Sequence, residues 1–254
     1  MLTLNNLRAK LQQLANPSKA LTLQRFFKTG EGEYGAGDVF LGITVPLQRA
    51  LIKSYIHLNF KDLKKLLNSK LHEERLCSLL ILVKQYQKAV YVKNKASIYQ
   101  FYLAHTHRIN NWDLVDLTAP YIVGDFLFNQ DAKPLYQLAQ SENLWERRIA
   151  IVATHYFIRQ KVYQPTTAIA AMLLHDTEDL IHKACGWMLR EAGKREVKVL
   201  EKFLKQYAAK MPRTMLRYAI EKFPEPKRKQ FLHVTSARNP AFPALVGERL
   251  RDQE

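Results

Sequence analysis

Apolar residues recur along much of this chain at the three- and four-residue steps of an α-helix. Two groups show the spacing clearly: Leu4, Leu7, Leu11 and Leu14, and then Leu79, Leu82 and Val83. A half-buried strand would alternate apolar and polar residues between turn signals, and the sequence has no convincing run of that kind. The pattern therefore predicts an all-α protein.

Several residues predict where helices begin. Asn16–Pro17 has the form of an N-cap followed by proline at the first helical position. Pro46 predicts the start of another helix. Asn143 and Glu146 have the spacing of a capping box, and Asp176 is placed to cap the helix that follows it.

The helical pattern also repeats along the chain. A basic residue followed by small and apolar residues recurs at Arg75, Arg148, Lys183 and, more loosely, Arg217, with gaps of 73, 35 and 34 residues. If the first gap holds two units, the intervening copy falls near Trp112. A period of about 34–37 residues with two helices in each unit is typical of HEAT-like repeats.

We therefore expect an α-solenoid of about six HEAT-like helical hairpins, curved into a superhelix with a basic concave face. We expect residues 1–226 to form a single domain. The segment 227–254 adds further basic residues and two prolines, Pro240 and Pro243, and is predicted to be a loosely packed tail.

Charge narrows the range of partners. The 254 residues include 39 Lys and Arg against 23 Asp and Glu, a formal charge of +16, which favours a polyanion and above all nucleic acid. No run approaches the ~18–20 apolar residues of a membrane span, and the N-terminus lacks the pattern of a secretory signal. With only two cysteines and no disulfide framework, we expect a cytoplasmic protein, nucleoid-associated if it is bacterial.

Four of the nine glycines cluster in residues 30–38, at Gly30, Gly32, Gly35 and Gly37. This segment lacks the Lys-Ser/Thr pair of a phosphate-binding loop and contains three acidic residues that would repel phosphate. We interpret it as an irregular connection between helices. The histidines, including His105 and His107, lack the spacing of a metal site, so no metal or organic cofactor is expected.

The repeat places Trp112, Arg148 and Trp187 at similar points of successive units, and Asp116 lies four residues after Trp112 on the same helix face. Two interpretations are open. These residues could line a concave surface that holds a rod of negative charge. Alternatively, the tryptophans belong to the core, the basic residues form ion pairs between repeats, and the acids favour an early helical turn.

Five segments, in the same order along the chain, carry a family resemblance: Val39–Pro46, Trp112–Asp116, Leu144–Ala150, His182–Glu191 and Met211–Glu221. They resemble segments of the AlkD-like DNA alkylation repair glycosylases, which are HEAT-like repeat proteins. The resemblance spans roughly residues 20–225. It implies a monofunctional enzyme that excises N3- and N7-alkylated purines from duplex DNA and leaves an abasic site.

The resemblance also implies roles for individual residues. Asp116 matches the catalytic carboxylate, with Asp113 as a rival beside it, and Trp112 and Trp187 match two aromatic walls of the site. Arg148, rather than the adjacent Arg147, matches the basic residue that binds the DNA backbone beside the lesion. The further predicted DNA contacts are Arg75, Arg147, Lys183, Arg190, Lys194 and Arg217.

The expected partner is double-stranded DNA with alkylated bases, bound by a monomer. Two other functions are carried as alternatives. One is a non-catalytic solenoid that binds bent or branched DNA, which would not need the complete set of four site residues. The other is a scaffold for an acidic protein, in which the tryptophans would be buried as core.

Overall fold

The chain folds into α-helices that stack in two rows, which confirms the all-α prediction. The computed structural model describes residues 2–236. The α-helices are α1 (Leu4–Leu14), α2 (Pro17–Phe26), α3 (Val45–Leu51), α4 (Phe60–Leu67), α5 (His72–Lys88), α6 (Val92–Leu103), α7 (Trp112–Asp116), α8 (Asp125–Phe128), α9 (Lys133–Leu138), α10 (Leu144–Arg159), α11 (Gln164–Met172), α12 (Asp179–Arg195), α13 (Val197–Tyr207), α14 (Arg213–Ala219) and α15 (Glu225–Ser236). Short 3₁₀ turns and one π-helical turn, Pro120–Gly124, connect some of them.

The first row consists of α5, α7, α10, α12 and α14, and each of these helices packs against the next. The second row covers this one: α4 and α6 pack on α5, α9 and α11 on α10, and α13 on α12. Such stacking of helical hairpins, each of which buries its apolar face only against its neighbours, is the architecture of an α-solenoid. The predicted fold class is therefore confirmed.

Local sequence accounts for two of the predicted helix starts. The side chain of Asn16 accepts a hydrogen bond from the backbone N–H of Lys19, and Pro17 is the first residue of α2. Helix α3 begins at Val45 with Pro46 in its first turn. Proline is tolerated there because the first backbone N–H groups of a helix have no partner within it.

The capping box predicted at α10 is wrong in its second half. Asn143 does accept a hydrogen bond from Trp145, but Glu146 does not reach back to the backbone of Asn143. Its carboxylate instead accepts hydrogen bonds from the hydroxyls of Thr106 and Ser141, both at 2.6 Å. A tertiary partner has thus replaced the local one.

The N-cap predicted at Asp176 is also wrong, because α12 begins at Asp179 and Glu178 is its N-cap residue. The carboxylate of Asp176 accepts a hydrogen bond from the Glu178 backbone and forms an ion pair with Arg147 at 2.6 Å. Asp176 therefore joins α10 to the entrance of α12.

One hydrophobic core extends from Leu4 to Ile220. Leu4, Leu7 and Leu11 are buried in it as the stripe predicts, whereas Leu14 at the end of α1 is 39% exposed. The predicted tail boundary at residue 227 falls inside α15, and the α15 residues Phe231 and Leu232 pack against the core. The predicted tail is therefore helical as far as residue 236, and residues 237–254 lie outside the described part of the chain.

A buried ionic cluster lies at the start of α5. The imidazole of His72 bridges two carboxylates, with Nδ1 3.3 Å from Asp38 and Nε2 2.8 Å from Asp113. Arg75 donates to the same oxygen of Asp38 at 2.6 Å and to the backbone carbonyls of Ser69 and Lys70. These bonds connect the segment before α3 to both α5 and α7.

This cluster includes Arg75, which is one of the predicted DNA contacts. Arg75 is 1% exposed, and its guanidinium is occupied by Asp38 and by backbone carbonyls. A phosphate could not approach it without breaking the buried ion pair, which does not fit the expectation that Arg75 contacts DNA. At Arg75 the structure favours the alternative interpretation of the basic residues, as ion pairs within the fold.

We expect the stability of the fold to fall in alkaline solution because of His72. Burial lowers the pKa of this imidazole, but Asp113 and Asp38 outweigh burial and raise the pKa from 6.5 to about 9. Because the folded pKa exceeds the unfolded one, the stabilisation is fully present below pH 6.5 and is lost as the pH rises through 9. A shift of this size corresponds to about 3 kcal/mol.

Urea unfolding of the wild type and of His72→Asn between pH 6 and 10 measures this contribution. The difference in unfolding free energy between the two proteins should shrink as the pH rises. His175→Asn, at an exposed histidine, serves as the control and should show no such trend. A constant difference across the range would show that the charge on His72 does not stabilise the fold.

Candidate active site

The four residues singled out by the resemblance lie in one cleft. It has a volume of about 560 Å³ and is bordered by the end of α2, by α7 and by α10, α12 and α14. Trp112, Asp116, Arg148 and Trp187 all line it. We call it the central cleft.

Trp112, Arg148 and Trp187 do not occupy equivalent points of their helices, contrary to the alignment predicted from the repeat. Trp112 is the first residue of α7, Arg148 the fifth of α10 and Trp187 the ninth of α12. Each step is four residues, or about one helical turn. The site therefore runs obliquely across the first row of helices.

Asp116 and Arg148 form a bidentate ion pair at the centre of the cleft. Arg148 donates from Nε and Nη2 to the two carboxylate oxygens, both at 2.9 Å. A third donation, from Nη1 to the carbonyl of Leu180 at 2.6 Å, ties the pair to α12. The Asp116 side chain keeps 16% of its surface exposed and the Arg148 side chain 6%, so the carboxylate is the more accessible partner.

The pair leaves Asp116 with unused acceptor capacity. A carboxylate has about four lone-pair sites, and Arg148 occupies two of them. Burial raises the pKa of Asp116 above its usual value of 3.8; the charge and hydrogen bonds of Arg148 oppose this rise, and the nearby Asp113 adds to it. The site thus holds the Asp116 carboxylate in a fixed orientation. This carboxylate can still accept further hydrogen bonds or stabilise a positive charge.

Aromatic side chains fix the two tryptophans of the cleft. The indole of Trp112 stacks on Phe27 with ring centroids 4.9 Å apart and meets Phe26 edge-on at 5.8 Å. On the other side of the cleft, the ring centroids of Trp187 and His155 lie 6.1 Å apart. Both tryptophans pack against the core but remain partly exposed, so neither is fully buried.

The structure separates Asp116 from its rival. Asp113 is 5% exposed, accepts a hydrogen bond from His72 at 2.8 Å and does not line the central cleft. It lines a neighbouring, largely apolar pocket of about 420 Å³ instead. The two carboxylates lie three residues apart on α7, and only Asp116 borders the central cleft.

Arg147, unlike Arg148, is bonded within the fold and away from the central cleft. Its guanidinium bonds both oxygens of Asp176 and the carbonyls of Ser141 and Glu142. Most of its donors are therefore used within the fold, and it does not line the central cleft. The expectation that Arg147 contacts DNA does not fit these bonds.

The remaining predicted DNA contacts divide between the cleft and its surroundings. Lys183 and Arg190 line the central cleft, where Lys183 pairs with Asp179 at 2.7 Å and Arg190 pairs with Glu221. Lys194, which pairs with Glu191, and Arg217 are exposed but lie outside the cleft lining. The lysines of α13 lie in the second row and are also outside it.

Several polar residues of the cleft were missed in the sequence, and two of them come from one loop. Lys28 and Tyr34 line it, and both come from the connection between α2 and α3 that holds the glycine cluster. That connection was interpreted as irregular because it does not fit a phosphate-loop pattern. The density of glycines around a single tyrosine was the available signal, because a chain that approaches its neighbours closely needs residues without a Cβ.

Two negative findings apply to residues 2–236. Within this part of the chain, no group of three or more His, Cys, Asp and Glu side chains is arranged to hold a metal ion. No helix described there is long and apolar enough to cross a membrane.

Comparisons with known proteins identify a family and a similar fold. The family model of the DNA alkylation repair enzymes matches residues 7–223. A solved structure of a predicted DNA alkylation repair enzyme from Enterococcus faecalis is similar in fold, with a TM-score of 0.64 and 17% sequence identity. That similarity covers 83% of this chain and 97% of the other. No match is found among curated proteins.

Proposed function

The chain belongs to the DNA alkylation repair enzyme family, so its role is in the repair of alkylation damage, and from this premise we propose its reaction. We propose that it is a DNA glycosylase that hydrolyses the N-glycosidic bond of cationic N3- and N7-alkylated purines in duplex DNA and leaves an abasic site. The observation that supports this most directly is the position of Asp116. It is an accessible carboxylate, held by Arg148, in a cleft with two tryptophans.

The chemistry needs one carboxylate and no general acid. Glycosidic cleavage passes through an oxocarbenium-like transition state, and such reactions commonly use two carboxyl groups, one of which protonates the leaving group. An alkylated purine already carries a positive charge and leaves as a neutral base. Asp116 then has two tasks: it stabilises the positive charge that develops on the deoxyribose, and it orients the water that attacks C1′.

Arg148 and the tryptophans support this carboxylate. Arg148 fixes its orientation through two hydrogen bonds, so little reorganisation is needed as charge develops on the sugar. The faces of Trp112 and Trp187 attract a cation by roughly 0.5–2 kcal/mol each. Both the damaged nucleotide and the sugar that becomes cationic would benefit from this attraction.

Base release from duplex DNA containing 7-methylguanine tests the proposal. We expect the protein to release the free base and leave an alkali-labile abasic site. Because only ionised Asp116 stabilises a cation, release should fall as the pH drops through the raised pKa of this residue. The acidic limb should therefore lie above the usual aspartate value of 3.8, after subtraction of spontaneous depurination. No release from a panel of N3- and N7-methylated purines would contradict the glycosylase assignment.

The second candidate is a non-catalytic protein that binds bent or branched DNA, and the same ion pair favours it. Arg148 already neutralises Asp116, as in a structural pair between repeats. This function predicts tighter binding to branched DNA than to a methylated linear duplex, without base release. A parallel binding assay with both kinds of DNA separates the two candidates.

A further inference from the structure

The connection between α2 and α3 brings Lys28 and Tyr34 to the central cleft. Neither is one of the four residues that the family resemblance assigned to this cleft. Residues 30–38 of this connection contain the clustered glycines, and we call them the glycine loop. Its contacts hold the backbone that carries the two side chains in place.

Hydrogen bonds from backbone N–H groups close the start of the glycine loop. Gly35 N–H donates to the carbonyl of Lys28 at 3.0 Å, and Gly30 N–H donates to the carboxylate of Glu33 at 2.9 Å. A Cβ on Gly35 would lie 2.5 Å from the carbonyl oxygen of Phe27, so glycine is required there. Lys28 itself has φ of 51°, a left-handed conformation that costs a non-glycine residue energy.

The end of the glycine loop is anchored to the helix that carries the candidate catalytic residue. Asp38 bonds Arg75 at 2.6 Å and His72 at 3.3 Å, and His72 bonds Asp113 of α7 at 2.8 Å. This chain of buried contacts ties the loop to α7. The position of Tyr34 is therefore coupled to that of Trp112 and Asp116 on the same helix.

The chemistry of these side chains suits an anion. Lys28 is exposed and forms no ion pair with any residue in the range 2–236. Burial raises the pKa of Tyr34, while its interaction with the Trp112 side chain and the charge of Lys183 lower it, and the first effect prevails. The hydroxyl therefore stays protonated at neutral pH. It can then donate this hydrogen to an acceptor.

We propose that Lys28 and Tyr34, with Lys183 nearby in the cleft, bind one phosphodiester of the damaged DNA strand beside the lesion. Two ammonium groups and a hydroxyl donor match an anion that has several acceptor oxygens. Lys183 is paired with Asp179, but both side chains are substantially exposed, and such pairs contribute little, so a phosphate can compete. This inference rests on the proposed function only in taking DNA as the bound molecule.

Binding to a duplex with a tetrahydrofuran abasic analogue tests the site without excision. Lys28→Gln should reduce the slope of log affinity against log salt by about 0.9, the value for one phosphate contact. Tyr34→Phe keeps the ring and should weaken binding up to about tenfold without changing the slope. The matched controls are Lys205→Gln on α13 and Tyr163→Phe at the start of α11, both outside the central cleft.

Neutral methylphosphonate linkages, placed one at a time around the abasic analogue, identify the phosphate. At the linkage that the site binds, the wild type should lose affinity, and Lys28→Gln and Tyr34→Phe should lose no more. If both variants match their controls, or if no linkage shows this non-additivity, the proposed site is wrong. The assay needs no catalysis, so a protein that fails to release bases and yet shows the coupling would refute the glycosylase proposal and keep the phosphodiester site.

Discussion

Asp116→Asn is expected to slow the release of 7-methylguanine from duplex DNA by about 10²–10³-fold while it leaves DNA affinity within about threefold. The neutral amide cannot stabilise the positive charge that develops on the sugar. It also presents an N–H₂ group where Arg148 now finds an acceptor, so only one of the two bonds at 2.9 Å can persist. Binding should survive because the change removes a negative charge from a surface that meets phosphates.

Asp179→Asn is the matched control for this prediction. It makes the same substitution in the same cleft, at an exposed carboxylate that pairs with Lys183. We expect it to release the base at close to the wild-type rate. Single-turnover rates and binding isotherms should be measured for both variants, with thermal unfolding to establish that each is folded. Release by Asp116→Asn at the wild-type rate would show that Asp116 is not the catalytic carboxylate.

Glu73→Ala is expected to destabilise the fold by about 3–5 kcal/mol. Glu73 is 1% exposed, and its carboxylate accepts three backbone hydrogen bonds, from Leu41 at 2.9 Å, Gly42 at 2.8 Å and Ile43 at 3.2 Å. Alanine would leave three buried N–H groups without a partner, and each such group costs about 1–3 kcal/mol. Urea unfolding at neutral pH measures the loss.

The neighbouring Glu74→Ala is the control. Glu74 is also an acidic residue in the first turn of α5, but it pairs with Arg8, whose side chain is 40% exposed. A partly solvated pair of this kind contributes about 1 kcal/mol or less. Similar losses for the two variants would mean that the three backbone hydrogen bonds to Glu73 contribute little to stability.

The position of Glu73 also shows why it matters to the site. The segment that it holds leads directly into α3, and Leu41 accepts a hydrogen bond from the backbone of Asn16 at the start of α2. Gly42 has φ of 82° and allows the chain to pass close to Asn16. Loss of this anchor should therefore loosen α2, which carries Phe26 against Trp112.

Much of the fold could be predicted from the sequence because its determinants are local. The apolar steps predict helices, and Asn16–Pro17 and Pro46 predict two helix starts, since a cap involves residues within four positions. The recurrence of a basic residue near the fourth or fifth position of α5, α10, α12 and α14 predicts the repeat. The family resemblance then assigned Trp112 and Asp116 to one site with Arg148 and Trp187, which are distant in the sequence.

The predictions that do not fit the structure share a cause as well. Glu146 fits a capping box by spacing, but Thr106, 40 residues away, takes its carboxylate. Arg75 and Arg147 look like surface cations, but Asp38 and Asp176 pair with them from 37 and 29 residues away. A side chain that has several possible partners pairs with the one that packing brings beside it, and that partner cannot be identified from local spacing.

The sequence by itself thus determined the helical class, the repeat and the net positive charge, because these depend on local periodicity and on composition. Only the tertiary structure decided which charges are free to act. It buried Arg75, paired Arg148 with Asp116, and brought Lys28 and Tyr34, from the connection between α2 and α3, to the cleft. The physical reason is that an uncompensated charge is costly to bury, so the charged groups that packing buries acquire partners, as Arg75 and Arg148 do.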